Sequence, residues 1–268
     1  MTNTGKLPDL GLNLYTCRDF LKKTEDMPVT LKKIKDIGYN SVQMSAIPRT
    51  LFGFFADACK DTGLAVTSTH IGFDSLRYNM GEIIDLHGKL GCIDVGIGSM
   101  PDEARMTADG VRIFAREMSE AGRMLSGKGL RLMYHNHAFE FQKFADGSMA
   151  MEILLNETDP QYVDFEIDTC WVRAGGQDPV EWIRKVAGRM RIIHLKDHVT
   201  LPDGKSTMCE VGSGELDWKS ITEASVATGV MIAYVEQDTC KESPFISADM
   251  SFRFLSELGY VSRLAGAK

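Results

Sequence analysis

The sequence predicts a single α/β domain, a (β/α)8 TIM barrel, and three observations carry that expectation. Stretches with apolar residues three and four apart alternate along the chain with short apolar runs. Gly38, Gly63, Gly91 and Gly129 each stand where a helix needs a left-handed residue before the chain turns into a strand. No low-complexity tract, charge block or Pro/Gly linker divides the chain, so one domain over residues 1–268 is expected.

Eight apolar runs read as strands: Gly11 to Thr16, Ser41 to Ser45, Leu64 to His70, Cys92 to Ile97, Leu130 to His135, Tyr162 to Ile167, Arg191 to Leu195 and Val230 to Val235. Helices fill the intervals, the longest from about Thr107 to Ser126. Strictly alternating strands and helices imply a parallel sheet with right-handed crossovers, closed as a barrel. An open doubly wound sheet is the structural alternative, but no strand is followed by the glycine fingerprint of a dinucleotide site. The longest irregular stretch, His198 to Leu216, contains EVGSGELDW and reads as an ordered loop over one mouth of the barrel.

With 268 residues, 44% of them apolar, the chain can bury a full core, and barrels of roughly 250 residues form as one unit. The formal charge of -7 gives no general attraction for phosphate backbones, so nucleic acid is not an expected partner. Six cysteines at positions 17, 59, 92, 170, 209 and 240 show no CxxC pair and read as free thiols of a reducing cytosol. The first residues lack the apolar stretch of a signal peptide, and no run reaches the ~18 apolar residues of a membrane span. A cytoplasmic protein with no membrane partner is the expectation.

Four segments carry the chemistry: YHNHAFEF (Tyr134 to Phe141), DFEIDTCW (Asp164 to Trp171), IIHLKDH (Ile192 to His198) and YVEQD (Tyr234 to Asp238). Each is a short apolar run ending in Glu, Asp or His, and in a parallel barrel the C-terminal strand ends converge on one face. Asp168, His194 and Glu236 lie at or just past strands six, seven and eight, and Glu140 just past strand five. Three carboxylates and one imidazole suit Mn²⁺, Mg²⁺, Co²⁺ or Zn²⁺, with positions left over for substrate oxygens. Taken singly, a carboxylate beyond a strand is commonly a cap or a solvated loop residue; four neighbouring strands contributing in order argue for a site.

His135 and His137 share one face of their strand and Asn136 takes the other. Two imidazoles at the mouth can bind metal, bind substrate or move protons near neutral pH. Lys196 would face the mouth and stabilise a developing enolate, or else pair with Asp197 at the surface. His70 could hydrogen-bond a substrate hydroxyl, and Trp171 and Phe73 could wall a sugar ring or simply pack in the core. His87, in a helix, reads as structural.

These motifs, with DTCWVRAGGQDPVEWI and EVGSGELDW, resemble the HNHxxEF branch of the sugar phosphate isomerase/epimerase family. That family lies within the xylose-isomerase-like barrel superfamily, which includes ketose 3-epimerases, inosose dehydratases and endonuclease IV. The resemblance covers almost the whole chain. It implies one divalent metal, Mn²⁺ first, held by Glu, Asp, His and Glu, and carries onto Asp168, His194 and Glu236. Many relatives have Glu-Asn-His where this chain has His135, Asn136 and His137. Either His135 replaces the Glu as ligand or Glu140 reaches back; Glu140 is favoured, leaving His135 to contact substrate.

The resemblance further implies a sugar isomerase or epimerase that removes a proton next to a carbonyl, with Glu236 on one face and His137 or Glu140 on the other. A dehydratase acting by β-elimination on a 3-keto sugar would share that first step. Endonuclease activity would need more metal ligands and a basic stripe than six histidines and this charge supply. A sugar-binding barrel without turnover is the remaining class. Dimers are common for barrels of this type, so a homo-oligomer is compatible with the sequence.

Overall fold

In a computed structural model of the chain, residues 5–201 and 206–263 are described. The expected 1–268 unit therefore has both its ends, and the tip of the loop after the seventh strand, outside the described residues. Eight parallel strands close into a barrel: β1 (Asp9–Asn13), β2 (Ser41–Met44), β3 (Ala65–Ile71), β4 (Asp94–Ile97), β5 (Arg131–His135), β6 (Val163–Asp168), β7 (Ile192–Leu195) and β10 (Ile232–Val235). Around it run α1 (Met27–Ile37), α2 (Phe52–Thr62), α3 (Phe73–Leu90), α4 (Ala108–Ser126), α5 (Ala150–Glu157), α6 (Thr169–Ala174), α7 (Pro179–Lys185), α8 (Trp218–Thr228) and α9 (Pro244–Glu257). No helix among the described residues is long and apolar enough to cross a membrane.

The helices form where the apolar period puts one stripe on the sheet. In α4, Val111, Phe114, Ala115, Met118, Gly122 and Leu125 are all buried and fall on one helical stripe. Thr107 caps its first turn by accepting the Gly110 N–H at 3.0 Å. Truncating Phe114, which is fully buried, would cost roughly 3–5 kcal/mol. Gly38, Gly63, Gly91 and Gly129 all take positive φ, as the helix-to-strand turns demand.

Two departures from the sequence reading have local causes. The first strand ends at Asn13, because its side chain accepts the Tyr15 N–H at 2.7 Å and turns the chain into a 3-10 helix over Leu14–Phe20. The segment His198 to Leu216 is partly regular among the described residues: β8 (Asp197–Thr200) and β9 (Ser206–Cys209) pair antiparallel. Its return is tied to one buried carboxylate. Asp197 accepts N–H groups from His198 (2.8 Å), Gly212 (3.0 Å), Gly214 (3.1 Å) and the Trp218 indole (2.8 Å). A side chain at Gly214 would collide with that carboxylate and with the His198 carbonyl, so EVGSGELDW is a docking sequence for Asp197.

Apolar strand residues such as Leu10, Leu12, Val95 and Ile167 face the helices, while the barrel interior holds polar layers around a small apolar cluster of Met133, Ile192 and Tyr234. At the N-terminal end of the strands Arg131 pairs with Asp164 at 2.6 Å and Arg191 lies 3.5 Å from Asp94. Above that layer lie Asn13, Gln43, Ser68 and Glu166, and above those the histidine-bearing strand ends, all buried apart from half-buried His70. Gly96 leaves room for the His70 ring on the neighbouring strand, where any Cβ would meet it at 2.7 Å.

Candidate active site

Parallel register aligns the ends of β5, β6, β7 and β10: His135 stands beside Glu166, Asp168 beside His194, and His194 beside Tyr234. One ligand atom each from His135, Asp168, His194 and Glu236 falls within 4.8 Å of the others, and all four residues are buried. Asp168, His194 and Glu236 are thus brought together as the sequence suggested. The fourth member of this group is His135 and not Glu140. Glu140 sits in a 3-10 turn at Phe139–Phe141, where its oxygens accept the Tyr134 O–H at 2.6 Å and the His137 N–H at 2.8 Å. The turn folds its carboxylate back beneath the strand end and away from the group.

Asp168 caps α6. One carboxylate oxygen accepts the Trp171 N–H at 2.8 Å, while the buried Oδ2 faces the Lys196 ammonium at 3.1 Å. Asn136, the middle residue of His-Asn-His, accepts the Asp168 N–H at 3.0 Å and locks β5 to β6. Thr169 donates its hydroxyl to the Lys196 carbonyl at 2.8 Å, locking β6 to the end of β7. His194 Nδ1 lies 2.7 Å from Glu236 Oε2.

Lys196 does not pair with Asp197. Its side chain is buried, with Nζ 3.1 Å from Asp168, 3.1 Å from Glu236 and 2.8 Å from Asp238. Burial opposes its charge, but those carboxylates hold the ammonium well above the usual lysine range. Burial raises Asp168 to about 6 against the pull of Lys196. It opposes ionisation of Glu236 too, yet Lys196 and His194 hold that carboxylate well below the usual range. His194 loses some basicity to burial, but Glu166 and Glu236 raise it to about 10.

The other imidazoles differ. Burial, then His194 and His70, push His135 well below the ordinary histidine value. Burial, then Lys196, lower His137 to about 4, which leaves it neutral at physiological pH. The His137 ring lies 5.6 Å from that of Trp171 and 5.8 Å from that of Phe139. Trp171 also stands 5.4 Å from the Lys196 ammonium. Phe73 joins the helix layer instead, packed edge-on against Phe114. His87 is buried between Thr69 and the Ile83 carbonyl.

A cavity of 330 Å³ opens over this group, lined by Tyr15, Ser45, His70, His137, Lys196 and Glu236 among others. That volume suits a small-molecule ligand. A wider cleft of 920 Å³ lies at the opposite end of the strands, lined by Thr67, Asp94 and Arg191, and none of the His-carboxylate group reaches it. Sequence reasoning missed Glu166, Gln43 and Asp238. The first and last were legible as the alternation Asp-x-Glu-x-Asp at Asp164 to Asp168 and Glu-x-Asp at Glu236 to Asp238, which puts successive carboxylates on one strand face.

The group fits a divalent ion. Two imidazoles and two carboxylates converge in a buried space with their ligand atoms within 4.8 Å of one another. The chain is a closed α/β-barrel with this ligand-capable group at its C-terminal mouth. Residues 31–242 match the family model described as xylose isomerase-like TIM barrel, and the chain belongs to that family.

Among curated proteins, the chain is 26% identical over 186 residues to an inosose dehydratase of Lacticaseibacillus casei. That match covers 63% of this chain and 61% of the relative, so the chain spans about three-fifths of the length of the protein it matches. A sugar phosphate isomerase/epimerase from Parabacteroides distasonis has a TM-score of 0.77 at 23% identity, covering 93% of this chain and 94% of its own. A probable 3-DHS dehydratase from Bacillus anthracis has a TM-score of 0.72 at 12% identity, covering 92% and 98%. These structures share the fold.

Proposed function

We propose that this protein is a divalent-metal-dependent sugar isomerase or epimerase that removes a proton from the carbon next to a carbonyl of a keto sugar or sugar derivative. The observation that carries the reading is the buried group of His135, Asp168, His194 and Glu236 beneath a cavity lined by His137 and Lys196. His135, Asp168, His194 and Glu236 would hold the ion, Mn²⁺ first, with Mg²⁺, Co²⁺ and Zn²⁺ as alternatives. When bound, such an ion supplies Lewis-acid stabilisation of negative charge on substrate oxygens.

The chain's own residues supply the proton traffic. Glu236, ionised at neutral pH, takes a proton on one side of the substrate carbon. His137, neutral and with no hydrogen bond at Nδ1, takes or returns it on the other. Lys196 brings an ammonium against oxygen that gains charge. His70 and Trp171 bound the sugar, with His135 serving the ion in place of Glu140. Glu140 keeps the Tyr134 hydroxyl and the His137 backbone in place. A cytoplasmic location accords with six free thiols.

A dehydratase is the second reading, favoured by the inosose dehydratase relatives. It begins with the same proton abstraction and ends in loss of the β-hydroxyl. Incubating the Mn²⁺-loaded protein with keto sugars and inososes in D₂O, followed by NMR, tests both. Deuterium entering next to the carbonyl with carbon number and hydroxyls retained supports the isomerase. Loss of water to an enone supports the dehydratase. Exchange that persists in Glu236→Gln would contradict the assignment of the base.

A further inference from the structure

Glu166 precedes Asp168 by two residues on β6, so its side chain points into the barrel one layer deeper, where it is fully buried. Its Oε1 accepts an N–H from Gln43 at 2.7 Å, and the Gln43 amide is fixed in turn by an N–H from Asn13 at 2.6 Å. Its Oε2 lies 2.5 Å from His70 Nε2. The carboxylate also faces two imidazoles of the proposed ion group, with His194 Nε2 3.2 Å from Oε1 and His135 Nδ1 3.8 Å from Oε2. The opposite ring nitrogens face outward, His194 Nδ1 toward Glu236 at 2.7 Å and His135 Nε2 toward Asp168 at 3.9 Å.

Each imidazole thus turns one nitrogen to Glu166 and the other to the ion group. Neither His135 Nδ1 nor His194 Nε2 makes a hydrogen bond in this structure, and the carboxylate that each faces is Glu166. A histidine that ligates through one nitrogen carries its proton on the other, and a buried carboxylate decides which.

We propose that Glu166 is the positioning residue of the ion group. It takes Nε2–H of His194, 3.2 Å away, and draws the proton of His135 to the Nδ1 side that it faces at 3.8 Å, which presents His194 Nδ1 and His135 Nε2 as lone-pair donors. This inference rests on the metal-dependent reading above. The count of partners favours it, because an ionised carboxylate offers about four lone-pair positions. Gln43, His70 and His194 bring three nitrogens to them within 3.2 Å, and His135 faces the fourth from 3.8 Å. The competing arrangement is a second ion held by His70, His135, Glu166 and His194, whose ligand atoms also lie within 4.8 Å of one another.

The experiment uses the full chain with ¹⁵N-labelled histidine and Zn²⁺ as the probe ion, which leaves imidazole spectra sharp. Wild type should take up one Zn²⁺ per chain and show protons on His194 Nε2 and His135 Nδ1, protected from exchange. Glu166→Gln should lose that protection, and its Zn²⁺ Kd from chelator competition should rise about 10- to 100-fold. Unchanged Kd and unchanged ring protonation in Glu166→Gln would overturn the role of Glu166 and leave the metal reading standing. Two Zn²⁺ per wild-type chain, one of them lost in Glu166→Gln, would overturn it in favour of an inner ion. A wild type that takes up no Zn²⁺ would overturn both. Should Glu166→Gln not fold, the wild-type spectrum decides, because a proton on His194 Nδ1 or His135 Nε2 contradicts the proposal.

Discussion

The Lys196 ammonium stands 3.1 Å from Glu236 Oε2, fully inside the barrel mouth. It also lies 3.1 Å from Asp168 Oδ2, so one fixed cation faces both carboxylates assigned to a divalent ion. Removing that charge strengthens the attraction of the pair for a second cation. Lys196→Met is expected to bind Mn²⁺ about tenfold more tightly, on the order of 1.4 kcal/mol, while losing turnover. Isothermal titration against the wild type measures it. Weaker binding would mean that Lys196 helps assemble the group.

His137 lines the cavity without belonging to the ion group. His137→Ala should therefore retain the metal and lower kcat by roughly 10²- to 10⁴-fold, the range for loss of a positioned acid or base. Steady-state kinetics with metal analysis on the same sample checks both halves of the statement.

Glu140 is buried, and burial raises it to about 7 even though Tyr134 and the His137 backbone donate to it. A carboxyl whose folded pKa exceeds its unfolded value, about 4.3, binds more protons in the folded chain between the two. Its contribution to stability is full below about pH 4 and is lost as pH rises through about 7. Relative to Glu140→Gln, the wild type should lose on the order of 3 kcal/mol across that window. Denaturant titrations of both proteins at pH 4.5 and 8 give the difference, and a constant gap would refute the shift.

Asp197 holds the hairpin return through the N–H groups of Gly212, Gly214, Leu216 and the Trp218 indole. Asp197→Ala strands those donors in a buried place and should cost roughly 3 kcal/mol or more, seen as a lower Tm by calorimetry. Gly214→Ala should act in the same direction, because its methyl meets the same carboxylate.

The barrel was legible because each βα unit carries its own punctuation. Apolar helix stripes end in glycines such as Gly63 and Gly91, and each is followed by a run buried on its helix-facing side. The sixth unit hid a break, since Gly175 and Gly176 divide its helix into α6 and α7. Asp168, His194 and Glu236 were legible because strand ends of a parallel barrel converge by topology. Glu140 was not, because its direction depends on a 3-10 turn that propensity does not encode. Glu166 escaped notice because DFEID was read as an apolar run, whereas the polar layers of the barrel interior make alternating carboxylates inward-facing.

Metal content of purified wild type, His135→Ala and Glu140→Gln, each reloaded with Mn²⁺ and passed through a desalting column, decides whether His135 or Glu140 belongs to the ion group. One ion per chain is expected in the wild type, one in Glu140→Gln and none in His135→Ala. An ion kept by His135→Ala and lost by Glu140→Gln would contradict the assignment of His135.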